Sequence, residues 1–148
     1  MMLDEKNGIF LLHCYRKLNK GEDRMKSKLK ILLYGNVEEY KIAENYIRNL
    51  PLLSNVQCEF FYMKTLNEME SILVNQTIDL IVVFADGAEG MESVYLCRRM
   101  LHDIPVCWFS DDNDFGMQSH RLECIYFATK PMTEEKLNRA LTRYLQMC

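Results

Sequence analysis

Five short runs rich in apolar residues alternate along the chain with stretches whose apolar positions recur every three or four residues. The runs are Leu29 to Tyr34, Val56 to Met63, Ile78 to Phe84, Ile104 to Phe109 and Cys124 to Ala128. Leu29 to Tyr34 and Ile78 to Phe84 are almost unbroken, the pattern of strands covered on both faces. Between the runs the period changes. Tyr40, Ala43, Tyr46, Ile47 and Leu50 make one helical face, which Pro51 ends; Leu66, Met69, Ile72 and Leu73 make a second. A third helix is expected over Met91 to Leu101, after a loop carrying Gly87 and Gly90, and Asp111 to Leu122 reads as a loop with a short helix. Leu137, Ala140, Leu141, Tyr144 and Leu145 form the inner face of the last helix.

Helix starts are marked as well. Asn36 with Glu39, and Thr65 with Glu68, have the spacing of a capping box. Thr133 precedes Glu134 and Glu135, acids placed favourably against a helix dipole. Strands alternating with helices imply right-handed crossovers and a parallel sheet covered on both sides. The expected fold is therefore α/β, a flavodoxin-like doubly wound sheet of five parallel strands in the order 2-1-3-4-5.

Residues 1–27 stand apart as an N-terminal extension, and residues 28–148 form the expected domain. Ile9, Leu12 and Tyr15, or Leu11, Tyr15 and Leu18, predict a short helix over Asn7 to Leu18, followed by a polar linker from Asn19 to Arg24. That helix either binds a partner or covers apolar surface; alternatively translation starts at Met25 and the segment is not native.

Composition narrows the classes. The 148 residues are 49% hydrophobic and 26% charged, as in a globular domain, with a net charge of −3. Nothing marks a basic stripe for nucleic acid. The six cysteines, Cys14, Cys58, Cys97, Cys107, Cys124 and Cys148, make no CxxC pair and no zinc knuckle, so reduced structural thiols are expected. No apolar stretch approaches the roughly 20 residues of a membrane helix. The start of the chain lacks the basic-then-apolar order of a signal peptide, and a cytoplasmic protein is expected.

In a doubly wound sheet, sites form at the carboxyl ends of the strands. Those ends here read Tyr34-Gly35-Asn36, Phe84-Ala85-Asp86, Phe109-Ser110-Asp111 and Thr129-Lys130-Pro131. Together with Asp79 to Val83 before the third end, and Gly90-Met91-Glu92 and Arg98-Arg99 after it, this set resembles the response-regulator receiver domain of two-component phosphorelay signalling, over about Lys28 to Leu145. The resemblance implies roles. Ser110 and Lys130-Pro131 match the family's residues after strands 4 and 5, Phe127 sits at its switch aromatic, and the Lys-Pro pair often carries a cis bond.

The departures fall on the chemistry. Where the family holds an acidic pair this chain has Gly35 and Asn36, and its phospho-accepting aspartate is replaced by Phe84 or Ala85. Phosphotransfer needs a carboxylate nucleophile and Mg²⁺ held by oxygen ligands. The resemblance therefore implies a pseudo-receiver, not an enzyme and without a cofactor. It would act through protein contacts, with a partner or a second copy, on the face of strand 4, strand 5 and the last helix. Tyr126, Arg139 and Arg143 belong to that face, beside a Trp108-Phe109 region expected to be exposed.

The degenerate pocket would hold Asn36, Asp86, Ser110 and Lys130. Ser110 either donates to a phosphate or caps the segment that follows it, and Lys130 needs an acid partner among Asp86, Asp111 and Asp112. Two other functions remain open: an active phospho-receiver using Asp86, with Asn36 and water completing a weakened Mg²⁺ site, and a flavodoxin-like binder of small ligands. Against the latter, the loop after strand 1 has no glycine-rich cradle. The chain ends soon after the last helix, so any regulatory effect is expected to pass through a separate protein.

Overall fold

A computed structural model describes residues 28–147. Strands β1 (Lys28–Tyr34), β2 (Gln57–Met63), β3 (Leu80–Val83), β4 (Val106–Ser110) and β5 (Tyr126–Thr129) alternate with helices α1 (Val37–Arg48), α2 (Asn67–Asn75), α3 (Gly87–Met100), α4 (Gly116–Arg121) and α5 (Glu134–Met147). All strand pairs are parallel, and the sheet order is β2-β1-β3-β4-β5, as the alternation of periods predicts.

Successive residues of the central strands point to opposite faces and build two cores. Leu29, Ile31 and Leu33 pack with Leu80, Val82 and Phe84 beneath α1 and α5; Leu32, Tyr34, Ile81 and Val83 pack beneath α2 and α3. The five apolar residues expected on the inner face of α5 are all buried. Thr133 caps that helix, its hydroxyl accepting the Lys136 N–H at 3.1 Å. The predicted extension, residues 1–27, lies outside the described residues.

Three local expectations are corrected. Gly87 and Gly90 belong to α3 and not to a loop. Gly87 starts the helix at φ +62°, a conformation glycine adopts without a Cβ penalty. A Cβ on Gly90 would overlap the Ala85 carbonyl oxygen and stand 3.2 Å from Trp108 Nε1, so glycine lets the helix start flush against the sheet. Before α2 only half of a capping box forms: the Glu68 carboxylate accepts the backbone N–H groups of Thr65 at 3.4 Å and Lys64 at 2.7 Å, while no side chain caps the helix itself. Finally, Trp108 and Phe109 are 0% exposed. β4 lies between β3 and β5 with both faces covered, so neither ring belongs to a surface.

Candidate functional site

The carboxyl ends of β1 and β3 diverge around a cleft of about 430 Å³ lined by Tyr34, Gly35, Asn36, Glu39, Phe84 and Asp86, among others. Asn36 ends the strand in extended conformation and starts α1, its Oδ1 accepting the Glu39 N–H at 2.7 Å. Its Nδ2 donates to Glu39 Oε1 at 2.9 Å, which fixes the carboxylate at the mouth of the cleft.

That carboxylate has a second role. Lys130, delivered by β5 ahead of a cis Lys130–Pro131 peptide, brings its Nζ to 2.7 Å from Glu39 Oε2 and 3.0 Å from Oε1. On its other side Nζ lies 2.7 Å from Asp86 Oδ1. The Lys130 side chain is 14% exposed, Glu39 22% and Asp86 50%. Burial alone would lower the lysine pKa, but hydrogen bonds and charge from Asp86 and Glu39 outweigh it and hold it above the ordinary value. Asp86 was among the acids expected to pair with Lys130; Asp111 and Asp112 do not pair with it. Glu39 was legible only as half of a cap.

Gly35 and Phe84 form a second unit. Phe84 is fully buried, and a Cβ on Gly35 would overlap its ring. Gly35 and Phe84, two of the positions where the sequence was expected to depart from the receiver pattern, thus make one steric fit: the ring at 84 uses the space a side chain at 35 would need. Deeper in the cleft, Tyr34 donates its hydroxyl hydrogen to Glu89 in the first turn of α3. Burial first, then the Glu89 bond and charge, raise the Tyr34 pKa well above the usual range, so it is a neutral donor. Neither Tyr34 nor Glu89 was singled out from the sequence, since one reads as a strand residue and the other falls in the stretch expected to be a loop.

Ser110 lies apart from this cluster. It is fully buried, its Oγ accepts the Asp112 N–H at 3.1 Å, and its carbonyl accepts the Lys130 N–H at 2.8 Å. Its hydroxyl thus caps the loop after β4. Phe127 is half-buried, edge-on to Trp108 with ring centroids 5.5 Å apart, and Phe115 stacks on the same indole at 5.5 Å. Trp108 Nε1 has no hydrogen-bond partner.

On the outer face of β5, Tyr126, Arg139 and Arg143 line one shallow groove with Asn138, Thr142 and Gln146. Arg143 donates to the Ile125 carbonyl at 3.1 Å, and Arg139 pairs with Glu135 at 2.8 Å. Among the described residues no cluster of three or more His, Cys, Asp or Glu side chains has metal-holding geometry. Cys58, Cys97, Cys107 and Cys124 are free thiols. Burial pushes Cys97 and Cys124 up to about 12, which makes them inert as nucleophiles at neutral pH. Among the described residues no helix is long and apolar enough to cross a membrane.

No protein-family model matches the chain, and no curated protein does. Solved structures match over most of its length. The response regulator TrrA of Thermotoga maritima, in complex with Mg²⁺ and BeF, superposes with a TM-score of 0.63 at 11% identity, covering 78% of this chain and 98% of that one. The chemotaxis response regulator CheY4 of Vibrio cholerae gives 0.63 at 14% identity, covering 79% and 98%. The non-phosphorylated HemR receiver domain of Leptospira biflexa gives 0.60 at 18% identity, covering 79% and 94%. With this sheet order and these neighbours, the chain has the fold of response-regulator receiver domains.

Proposed function

We propose that the chain is a receiver-type signalling module that works through protein contacts and carries out no phosphoryl transfer. The observation that carries this reading is the closed ion cluster at Lys130. Its ammonium is matched by Glu39 and Asp86, both at 2.7 Å. An incoming phosphoryl group would have to displace those carboxylates from the lysine. A divalent cation would find them already committed to a positive charge, and the Gly35–Phe84 fit puts a ring where further oxygen ligands would be needed. These residues do not fit Mg²⁺, and no step is drawn through it.

Contact is assigned to the face built by β4, β5 and α5, where Tyr126, Arg139 and Arg143 meet in one groove. The partner is a protein, and exposed Arg139 and Arg143 favour an acidic one. Localisation in the cytoplasm and the boundary between an extension, 1–27, and a receiver-like domain, 28–148, belong to the same reading.

A second reading rests on Asp86, a half-exposed carboxylate that does reach the cleft. One experiment separates the two: intact-protein mass spectrometry after incubation with acetyl phosphate and Mg²⁺, with Asp86→Ala beside the parent chain. No adduct on either chain is expected. An adduct on the parent that disappears in Asp86→Ala makes the protein a working phospho-receiver.

A further inference from the structure

The free side of β2 has a hydrogen-bonding order that specifies what fits it. In β1 the backbone groups of Lys30 and Tyr34 turn toward β3, where their carbonyls accept the N–H groups of Asp79 and Phe84. Leu29, Ile31 and Leu33 therefore turn toward β2. Ile31 lies level with Phe60, so the parallel ladder engages the backbone of Glu59 and Phe61 and leaves that of Cys58, Phe60 and Tyr62 directed outward. Among the described residues nothing pairs with these six groups. The window is closed at both ends: the Val56 N–H goes to the Leu53 carbonyl at 3.0 Å, and the Lys64 N–H to Glu68 at 2.7 Å. The strand itself, Gln-Cys-Glu-Phe-Phe-Tyr-Met, has one charge, no proline and no glycine. Edge strands that avoid pairing are usually shorter, bulged or more charged.

We infer that this edge is a dimerisation surface, on which a second copy of the chain lays its own β2 antiparallel about a two-fold axis through Phe60. In that register Phe60 faces Phe60 and Cys58 faces Tyr62 twice over, so all twelve outward groups of the two copies pair. Sliding by two residues sets Glu59 against Glu59, or sets Cys58 against Lys64, whose N–H is already taken. Sliding by one residue mixes the two faces of the sheets. The contact is thus isologous and closes on itself.

Charge supports the same arrangement. Arg48 stands 4.7 Å over the Phe60 ring and pairs with Glu44 at 2.8 Å, and Glu44 accepts from Tyr62 at the other end of the window, so each copy carries an ion pair laid along its β2. Antiparallel apposition brings the Arg48 end of each copy beside the Glu44 end of its mate. The opposite edge, with Tyr126, Arg139 and Arg143, stays free for the partner proposed above. The inference does not depend on that reading.

Sedimentation of the full chain over a concentration series tests it. The expected species has twice the 17.5 kDa mass of the chain. Cys58→Pro removes an outward N–H on each copy and no bond to β1, and should raise the dissociation constant at least about tenfold with circular dichroism unchanged. A second test does not rely on that variant folding. With Cys14, Cys58 and Cys148 replaced by serine, Phe60→Cys should cross-link under mild oxidation, because residues paired this way stand about 5.5 Å apart at Cα. Phe61→Cys should not. The proposal is overturned by a monomer at every concentration, by a dimer indifferent to Cys58→Pro, by cross-linking at 61 in place of 60, or by a dimer that forms only after residues 1–24 are removed.

Discussion

Two half-buried cations sit at opposite ends of the sheet and are held in different ways. At the carboxyl end, Lys130 is matched by two side-chain carboxylates, Glu39 and Asp86. At the amino end, Arg98 reaches from α3 into the entrances of β4 and β5. It donates to the carbonyls of Leu122 and Ile104 at 2.7 Å, His102 at 3.1 Å, Glu123 at 3.2 Å and Leu101 at 3.4 Å. The partners of Arg98 are backbone, so any sequence that folds this way supplies them. The partners of Lys130 are side chains, so sequence change can redirect the lysine while the sheet stays as it is. Backbone anchors of this kind fit a fold that is shared with receiver domains at only 11–18% identity.

The sharpest way to break the comparison is at Arg98. Arg98→Ala strands several partly buried carbonyls that join three elements, and should cost about 2–3 kcal/mol in urea unfolding. Arg98→Lys should recover little, since a point charge does not span the fork of acceptors. A loss under about 1 kcal/mol would show that water replaces the clamp, and that the two ends are alike.

Next comes the steric fit in the cleft. Gly35→Ala should cost about 1–3 kcal/mol by overpacking against the Phe84 ring. Combining it with Phe84→Leu should return part of that cost, leaving a coupling energy of about 1 kcal/mol in a double-mutant cycle. Additive losses would mean that the two residues were not one unit.

The smallest effect belongs to Lys130 itself. Lys130→Met leaves Glu39 and Asp86 facing each other, but Asp86 is half exposed and screened, so about 1 kcal/mol at neutral pH is expected. Its pH signature is more telling. The folded pKa lies above the ordinary lysine value of 10.5, so the contribution is complete below that value and is lost as pH rises through the folded pKa. Tyr34 and Tyr62, also raised, weaken the fold in the same alkaline direction. The difference between parent and Lys130→Met should therefore be flat through neutral pH and shrink above about 10.5. A difference that shrinks between pH 6 and 9 would assign the effect to another group.

How much of this was legible in the sequence follows from the range of the interactions. The α5 face and its Thr133 cap are local and were read residue by residue. The parallel sheet followed from the alternation of two periods. Gly90 was misplaced because glycine signals a loop, whereas here it answers to the Ala85 carbonyl and the indole across the interface. Trp108 and Phe109 were misjudged because an apolar run shows no alternation to tell a covered face from an open one. Glu39 was seen only as a helix cap; its bond to Lys130 spans 91 residues, and no local pattern carries it.

The claim at the centre is that lysine and carboxylates satisfy one another in the cleft. Titrating Mg²⁺ into isotopically labelled protein, and following the backbone amides of Gly35, Asp86 and Lys130 by NMR, tests it most directly. No saturable change is expected at those amides up to millimolar Mg²⁺. Saturable shifts confined to those residues would show a working cation site, and with it a receiver whose chemistry survives.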